Sequence, residues 1–245
     1  MKTIAIGDVH GRTDWKEIVK QDYDRVIFIG DYVDTHENIT GLEQVQNLRE
    51  IIDFKLKSDK QIILLIGNHD FHYWPGIGYT GTSGYQPGMK ASFEYEFETY
   101  RDMFQMAFVD ENEIVFTHAG ITESWLFQNG IGNTSIYSTV DVINDFLKYR
   151  PNVFNFYPGD RSHCGDHIFQ SPIWVRPNSL YRDGIKQLQV VGHTTQPRIN
   201  LNKNERQGYY LIDTLGTSGE CLIITDGKIT IWQREKEQQT QDLKQ

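Results

Sequence analysis

The sequence predicts an α/β fold whose ligand-binding edge lies at the carboxyl ends of its strands. Three observations predict it. Over roughly the first seventy residues, short and nearly continuous apolar runs alternate with amphipathic stretches, which indicates a sheet buried on both faces. Each of those runs ends in a polar motif built around glycine and aspartate or asparagine. Toward the end of the chain, closely spaced apolar runs joined by turn signals imply a second, antiparallel-rich sheet.

In chain order, a strand over residues 3–6 leads into Gly7-Asp8-Val9-His10-Gly11 and a helix over 14–20. A strand over 25–29 leads into Gly30-Asp31-Tyr32-Val33-Asp34 and a helix over 42–57, and a strand over 62–66 leads into Gly67-Asn68-His69-Asp70. From Phe71 to Gly88, glycines interleave with tyrosine and tryptophan without a period of either kind, so this segment reads as a long loop over the strand ends. A helix is expected over 91–106, followed by a hairpin through Asp110-Glu111-Asn112 into a strand over 113–117, which delivers Thr117-His118-Ala119-Gly120. After a helix over 140–149, residues 151–177 are irregular and polar-aromatic, a second candidate rim. Strands over 188–191, 209–213, 221–225 and 228–233 follow, the first ending in Gly192-His193-Thr194 and the last two joined by the turn Asp226-Gly227. Residues 1–234 are expected to form one domain, and the charged, glutamine-rich residues 235–245 a flexible tail.

The chain has 245 residues, 38% of them hydrophobic and 13% aromatic, enough to bury a large core without covalent staples. Its two cysteines, Cys164 and Cys221, form no disulfide framework, which predicts a reducing, cytoplasmic setting. No leader-like segment precedes the first strand and no run of eighteen apolar residues occurs, so neither export nor membrane insertion is expected. A formal net charge of −9 argues against general nucleic-acid binding, although bound dications would make a local positive well for phosphate.

The five motifs offer carboxylates, imidazoles and one amide, and no thiolate. That mixture suits a pair of hard-to-borderline divalent cations. A carboxylate shared between two such ions holds them ~3.5–4 Å apart, close enough to activate a common water and to span two phosphoryl oxygens. Any one motif alone is an ordinary polar turn after a buried strand. Five in succession at strand ends supply complementary donors that unrelated turns have no reason to supply.

Together, in this order, the motifs resemble those of the calcineurin-like metallophosphoesterases. The likeness is greatest to the phosphoprotein-phosphatase branch with its bacterial, phage and diadenosine-tetraphosphatase relatives, and it runs from Asp8 to His193. The resemblance implies a β-sandwich of two mixed sheets flanked by helices, with a dinuclear metal site at the strand ends. It implies that Asp8, His10 and Asp31 hold one ion while Asp31, Asn68, His118 and His193 hold the other. Manganese is the implied metal, and the donor types suit iron and zinc alike. His69 is similar to the family histidine that protonates the leaving oxygen, and Asp34 to the aspartate that orients it.

The chain departs from its relatives in two places. Asp34-Thr35-His36 stands where protein phosphatases of the branch read Asp-Arg-Gly, so a phosphate-gripping arginine must come from elsewhere; Arg12 and Arg176 are the candidates. Thr195 stands where superfamily phosphodiesterases carry a second histidine, which favours a monoester or nucleotide-type substrate over a diester. The expected activity is therefore phosphomonoester hydrolysis of the serine/threonine protein phosphatase type, on a phosphoprotein or a small phosphoester. Dinucleoside polyphosphate or diester hydrolysis is the alternative. A non-catalytic scaffold of this fold would have lost donors, and none is missing. His163-Cys164-Gly165-Asp166-His167 has metal-type side chains but no matching second half, and reads as a loop edging the substrate rather than a zinc site. His36 and His72 read as flanking groups, not as donors.

Overall fold

The computed structural model describes residues 1–77, 84–157 and 165–233. Strands β1 (Lys2–Ile6), β2 (Arg25–Phe28) and β3 (Gln61–Leu65) run parallel at the centre of a six-stranded sheet. On one side β10 (Glu220–Thr225) pairs antiparallel with β1 and carries β11 (Lys228–Gln233); on the other, β4 (Phe104–Gln105) pairs parallel with β3. The second sheet has five strands, in the order β5 (Ala107–Val109), β6 (Val115–Thr117), β7 (Gln189–Val191), β9 (Gly208–Leu211) and β8 (Asn200–Lys203), with β6, β7 and β9 parallel. Two mixed sheets flanked by helices are what the family resemblance implied, but the late strands do not build the antiparallel-rich second sheet expected of them: β10 and β11 join the first sheet through β1, and the second is parallel at β6, β7 and β9.

Strand alternation explains the layering. Ala5, Ile27 and Leu65 face Phe116, Val190 and Ile212 in the space between the sheets, while Ile4, Val26 and Leu64 point the other way, under the helices. Each such buried aliphatic side chain contributes about 1.5–3 kcal/mol relative to exposure. Helix α2 (Gly41–Lys57) covers that outer face with Val45, Leu48, Ile51 and Ile52. Its start is fixed by a reciprocal cap: the Glu43 carboxylate accepts from the Thr40 amide at 2.7 Å and the Glu43 amide donates to Thr40 Oγ1 at 3.3 Å.

Several boundaries differ from expectation. Helix α1 (Trp15–Ile18) is a single turn because Lys20 and Gln21 bond back three residues rather than four, which tightens the chain toward β2. The helix expected over 91–106 stops early: α4 is Lys90–Thr99, Arg101–Met103 forms a 3-10 turn, and Phe104 becomes the edge partner of Leu64. Phe93, Phe97 and Phe104 keep a helical spacing, but pairing with an open sheet edge outweighs it. Three short helices and a strand went unpredicted: α3 (Asn68–Phe71), α5 (Glu123–Gln128), α7 (Pro177–Asp183) and β8. Helix α6 (Ile136–Tyr149) starts four residues before its expected place, capped by Ser135. The turn Asp226-Gly227 has both residues at positive φ, as a two-residue hairpin of this twist requires. Parts of the loops expected over 71–88 and 151–177, the His163-Cys164 pair and the 235–245 tail lie outside the described residues. Among the described residues no helix is long and apolar enough to cross a membrane.

Candidate metal centre

The parallel strands β1, β2 and β3 in one sheet and β6 and β7 in the other end at a common edge, and all five motifs follow directly from them. Within the second sheet the Gly192 amide donates to the His118 carbonyl at 2.8 Å, and the two sheets are tied together where the His193 amide donates to the Asp8 carboxylate at 3.0 Å. Among the described residues six that are not glycine have positive φ, and four of them belong to the motifs: His10 at 46°, Asp31 at 52°, Asp34 at 56° and His193 at 62°. Such conformations cost about 1–3 kcal/mol each and cluster where function holds them.

Asp31 lies at the middle. Its Oδ1 accepts the His69 amide at 2.9 Å, and its Oδ2 sits 3.7 Å from His10 Nε2 and 3.3 Å from His118 Nε2. Asp8, His10 and Asp31 bring one donor atom each within 4.8 Å of one another. On the other side, Asn68 Oδ1 is 2.9 Å from His118 Nε2 and 2.7 Å from His193 Nδ1. The imidazoles are aimed by the backbone. His10 Nδ1 faces the Asp34 carbonyl at 2.5 Å and His118 Nδ1 faces the Ile29 carbonyl at 3.1 Å, so each Nδ1 carries the proton and each Nε2 presents its lone pair inward.

That inward lone pair decides what the cluster suits. A neutral His118 would point it at two further acceptors, Asp31 Oδ2 and Asn68 Oδ1, an arrangement that calls for a cation or a proton between them. Charge makes the same point. Asp8, Asp31, Asp70 and Asp213 are all buried, and among the described residues the side chains of opposite charge that meet Asp31 are imidazoles. Burial, and then Asp213, push the Asp8 carboxyl well up. Burial opposes ionisation of Asp31 as well, yet His118, His69 and His10 hold it well below the carboxylate range. His118 is raised to about 9 although burial disfavours its charge, because Asp31 and Asp8 face it. Here a proton on imidazole does what a divalent cation would do, and the donor set fits such ions.

Beside the cluster, His69 Nδ1 is 3.4 Å from Asp34 Oδ2, leaving Nε2 to face outward from the pair. Burial lowers the His69 pKa, but Asp31 and Asp34 outweigh it and the net shift is upward. A second trio able to hold an ion consists of Asp34, His69 and the fully buried His72, whose pKa falls to about 4 through burial and its neighbour His69. His36 is exposed.

The model of a known family, described as calcineurin-like phosphoesterase, matches residues 1–197. The chain is a calcineurin-like phosphoesterase. Membership makes this metallophosphoesterase a hydrolase of phosphoric esters that uses divalent metal ions. Its fold is similar to that of a mutant cold-active protein tyrosine phosphatase, at 15% identity over 94% of this chain and 77% of that one, with a TM-score of 0.57. A candidate diadenosine tetraphosphatase is 13% identical over 95% of this chain and 93% of its own, with a TM-score of 0.49. A metallophosphoesterase from Sphaerobacter thermophilus is 13% identical over 97% and 89%, with a TM-score of 0.45. No curated protein matches the chain.

Two further side chains shape the centre of this phosphoesterase and were passed over in the sequence. Asp70, fully buried, accepts the amides of Asp31 at 2.7 Å, Tyr32 at 2.8 Å and Gly67 at 2.9 Å, and so clamps the loop after β2 to the loop after β3. Burial and Asp31 raise its pKa to about 7 against those amide bonds. The available signal was its place three residues after Gly67, where an acidic side chain folds back on a helix start. Asp213 accepts the Thr195 hydroxyl at 2.7 Å, so that hydroxyl is already engaged.

The two arginines are both at the rim. Arg176 donates to the His193 carbonyl at 2.9 Å and Thr194 Oγ1 at 3.1 Å, which places it against the turn that carries His193. Arg12 is bound to Glu37 by both Nε and Nη2 at 2.6 Å, so much of its fork is occupied.

The glycines of this phosphoesterase leave room for carboxylates. A Cβ on Gly192 would lie 1.9 Å from Asp8 Oδ1, and one on Gly67 would lie 2.1 Å from Asp31 Oδ1. Gly192→Ala is therefore expected to displace Asp8, lowering stability by about 1–3 kcal/mol and weakening metal binding. Denaturant unfolding with elemental analysis checks it, and a variant with native stability and full metal content would contradict the packing argument.

Proposed function

We propose that this hydrolase is a phosphomonoesterase of the serine/threonine protein phosphatase type, working as a single catalytic domain over residues 1–234. The observation that carries the reading is the position of Asp31 Oδ2 between the inward nitrogens of His10 and His118. In this reading Asp8, His10 and Asp31 hold one cation, Asn68, His118 and His193 hold the other, and Asp31 serves both. Manganese is the first choice, with iron and zinc accommodated by the same donors. When bound, such a pair neutralises phosphoryl charge and brings a shared water near deprotonation at neutral pH.

The chain's own groups do the rest. Asp34 faces His69 Nδ1, so the proton on Nε2 is the one available to the leaving oxygen, and the neighbouring carboxylate favours the protonated ring. Arg176, fixed against the His193 turn, and Arg12 are the side chains assigned to the phosphate oxygens. A monoester is favoured because Thr195 replaces a second histidine and its hydroxyl is taken by Asp213. A reducing, cytoplasmic setting belongs to the same proposal, supported by the buried free thiol of Cys221.

The test is manganese-dependent hydrolysis of 4-nitrophenyl phosphate beside bis(4-nitrophenyl) phosphate. Faster monoester turnover that a chelator abolishes is expected. Dominant diester turnover would reverse the monoester assignment, and phosphopeptides set against dinucleoside polyphosphates then separate the substrate classes.

A further inference from the structure

We propose that Tyr73 is a positioning residue for the general acid, completing with Gln86 a hydrogen-bonded chain through Asp34 to His69; the inference rests on the assignment of His69 as the acid. The Asp34 carboxylate has two oxygens with separate duties. Oδ2 faces His69 Nδ1, while Oδ1 accepts the Tyr73 hydroxyl at 2.7 Å and Gln86 Nε2 at 3.2 Å. A carboxylate pinned at one oxygen presents the other in a fixed direction, and the plane of the histidine ring follows from it.

Tyr73 is itself immobilised. It is fully buried, its hydroxyl accepts the Gln86 amide at 2.8 Å, and its ring stacks on Tyr85 with centroids 5.3 Å apart at 16° and packs on Phe93 at 4.8 Å. The hydroxyl therefore has both a donor and an acceptor partner and no freedom to turn elsewhere. His69 and Tyr73 are four residues apart where the chain continues to turn helically beyond α3, as the Tyr73 amide bond to the Asp70 carbonyl at 3.0 Å shows. Both ends of the relay thus come from one turn, and Asp34 is inserted between them from the loop after β2. Asp34 sits at positive φ, so its own backbone does not choose that position and outside contacts must hold it.

A group that only stiffens the fold would slow all substrates alike. A group that aims the acid matters in proportion to how much the leaving oxygen needs a proton. In the manganese-loaded protein, Tyr73→Phe is expected to lower kcat on phenyl phosphate by about tenfold while changing kcat on 4-nitrophenyl phosphate, whose leaving group departs as an anion, by less than about twofold. KM and metal content should stay unchanged, and in a His69→Asn background Tyr73→Phe should cost nothing further. Gln86→Ala, at a half-buried position, should show the same selectivity more weakly and serves if the tyrosine variant does not fold. Equal losses on both substrates, or additive losses with His69→Asn, would overturn the positioning role. If His69→Asn itself slows both substrates equally, the acid assignment fails first and takes this inference with it. A leaving-group-dependent His69→Asn beside a neutral Tyr73→Phe would overturn the inference alone.

Discussion

Asp31→Asn is expected to reduce phosphoester hydrolysis by about a thousandfold or more and to strip the protein of metal, while leaving it folded. The amide keeps the size of the carboxylate but can reproduce only half of its contacts. With its oxygen retained on the His69 amide, as Oδ1 is now at 2.9 Å, its nitrogen occupies the place of Oδ2, between the inward nitrogens of His10 and His118. There the new N–H groups can donate to imidazole lone pairs, which removes the acceptor crowding that a cation would otherwise relieve. The fold gains a satisfied contact and the centre loses both its charge and its shared oxygen. Elemental analysis and turnover on 4-nitrophenyl phosphate measure the two effects separately, and a variant with full metal content and unchanged turnover would refute the dinuclear reading.

His69→Asn is expected to separate the same two properties in the opposite way. The contact His69 makes with Asp31 runs through its backbone amide, which any substitution other than proline preserves, so metal content should stay at the native level. The ring alone faces Asp34, and its loss removes the proton donor, for which about 10²–10⁴ in kcat is expected on substrates with poor leaving groups. Retained metal with that loss identifies the acid. Loss of metal would instead make His69 part of the cation cage, and native turnover would leave the leaving oxygen to be protonated by water.

Much of this was legible in the amino-acid order, because the strands ending at the site are buried on both faces and so are nearly uninterrupted in apolar residues, as Thr3–Ile6 and Ile62–Leu65 are. That the five motifs converge was legible because each follows its strand at once. What escaped had local signals too weak to outweigh their surroundings. Helix α5 is only six residues long, and its cap, Thr122 Oγ1 accepting from the Trp125 amide at 3.3 Å, is the commonest kind of turn chemistry. Helix α7 opens on Pro177, a start signal that was available but lay within a stretch of irregular composition. Phe104 carries a helical spacing and forms a strand, since the edge of β3 is a fact about the assembled sheet and not about neighbours in sequence. The clamp made by Asp70 escaped for a related reason: its partners are backbone amides, which no side-chain pattern reveals.

The left-handed turns at His10, Asp31, Asp34 and His193 bear on how portable this centre is. The direction of each of these side chains is set by a backbone conformation between 46° and 62° in φ that neither a helix nor a strand can offer. Copying the six candidate donors and the proposed acid onto the regular elements of another scaffold would reproduce the inventory and lose the aim. An engineer must transplant the strand-to-loop junctions whole, because it is their backbone, and not the helices or the rim loops, that sets the direction of these side chains.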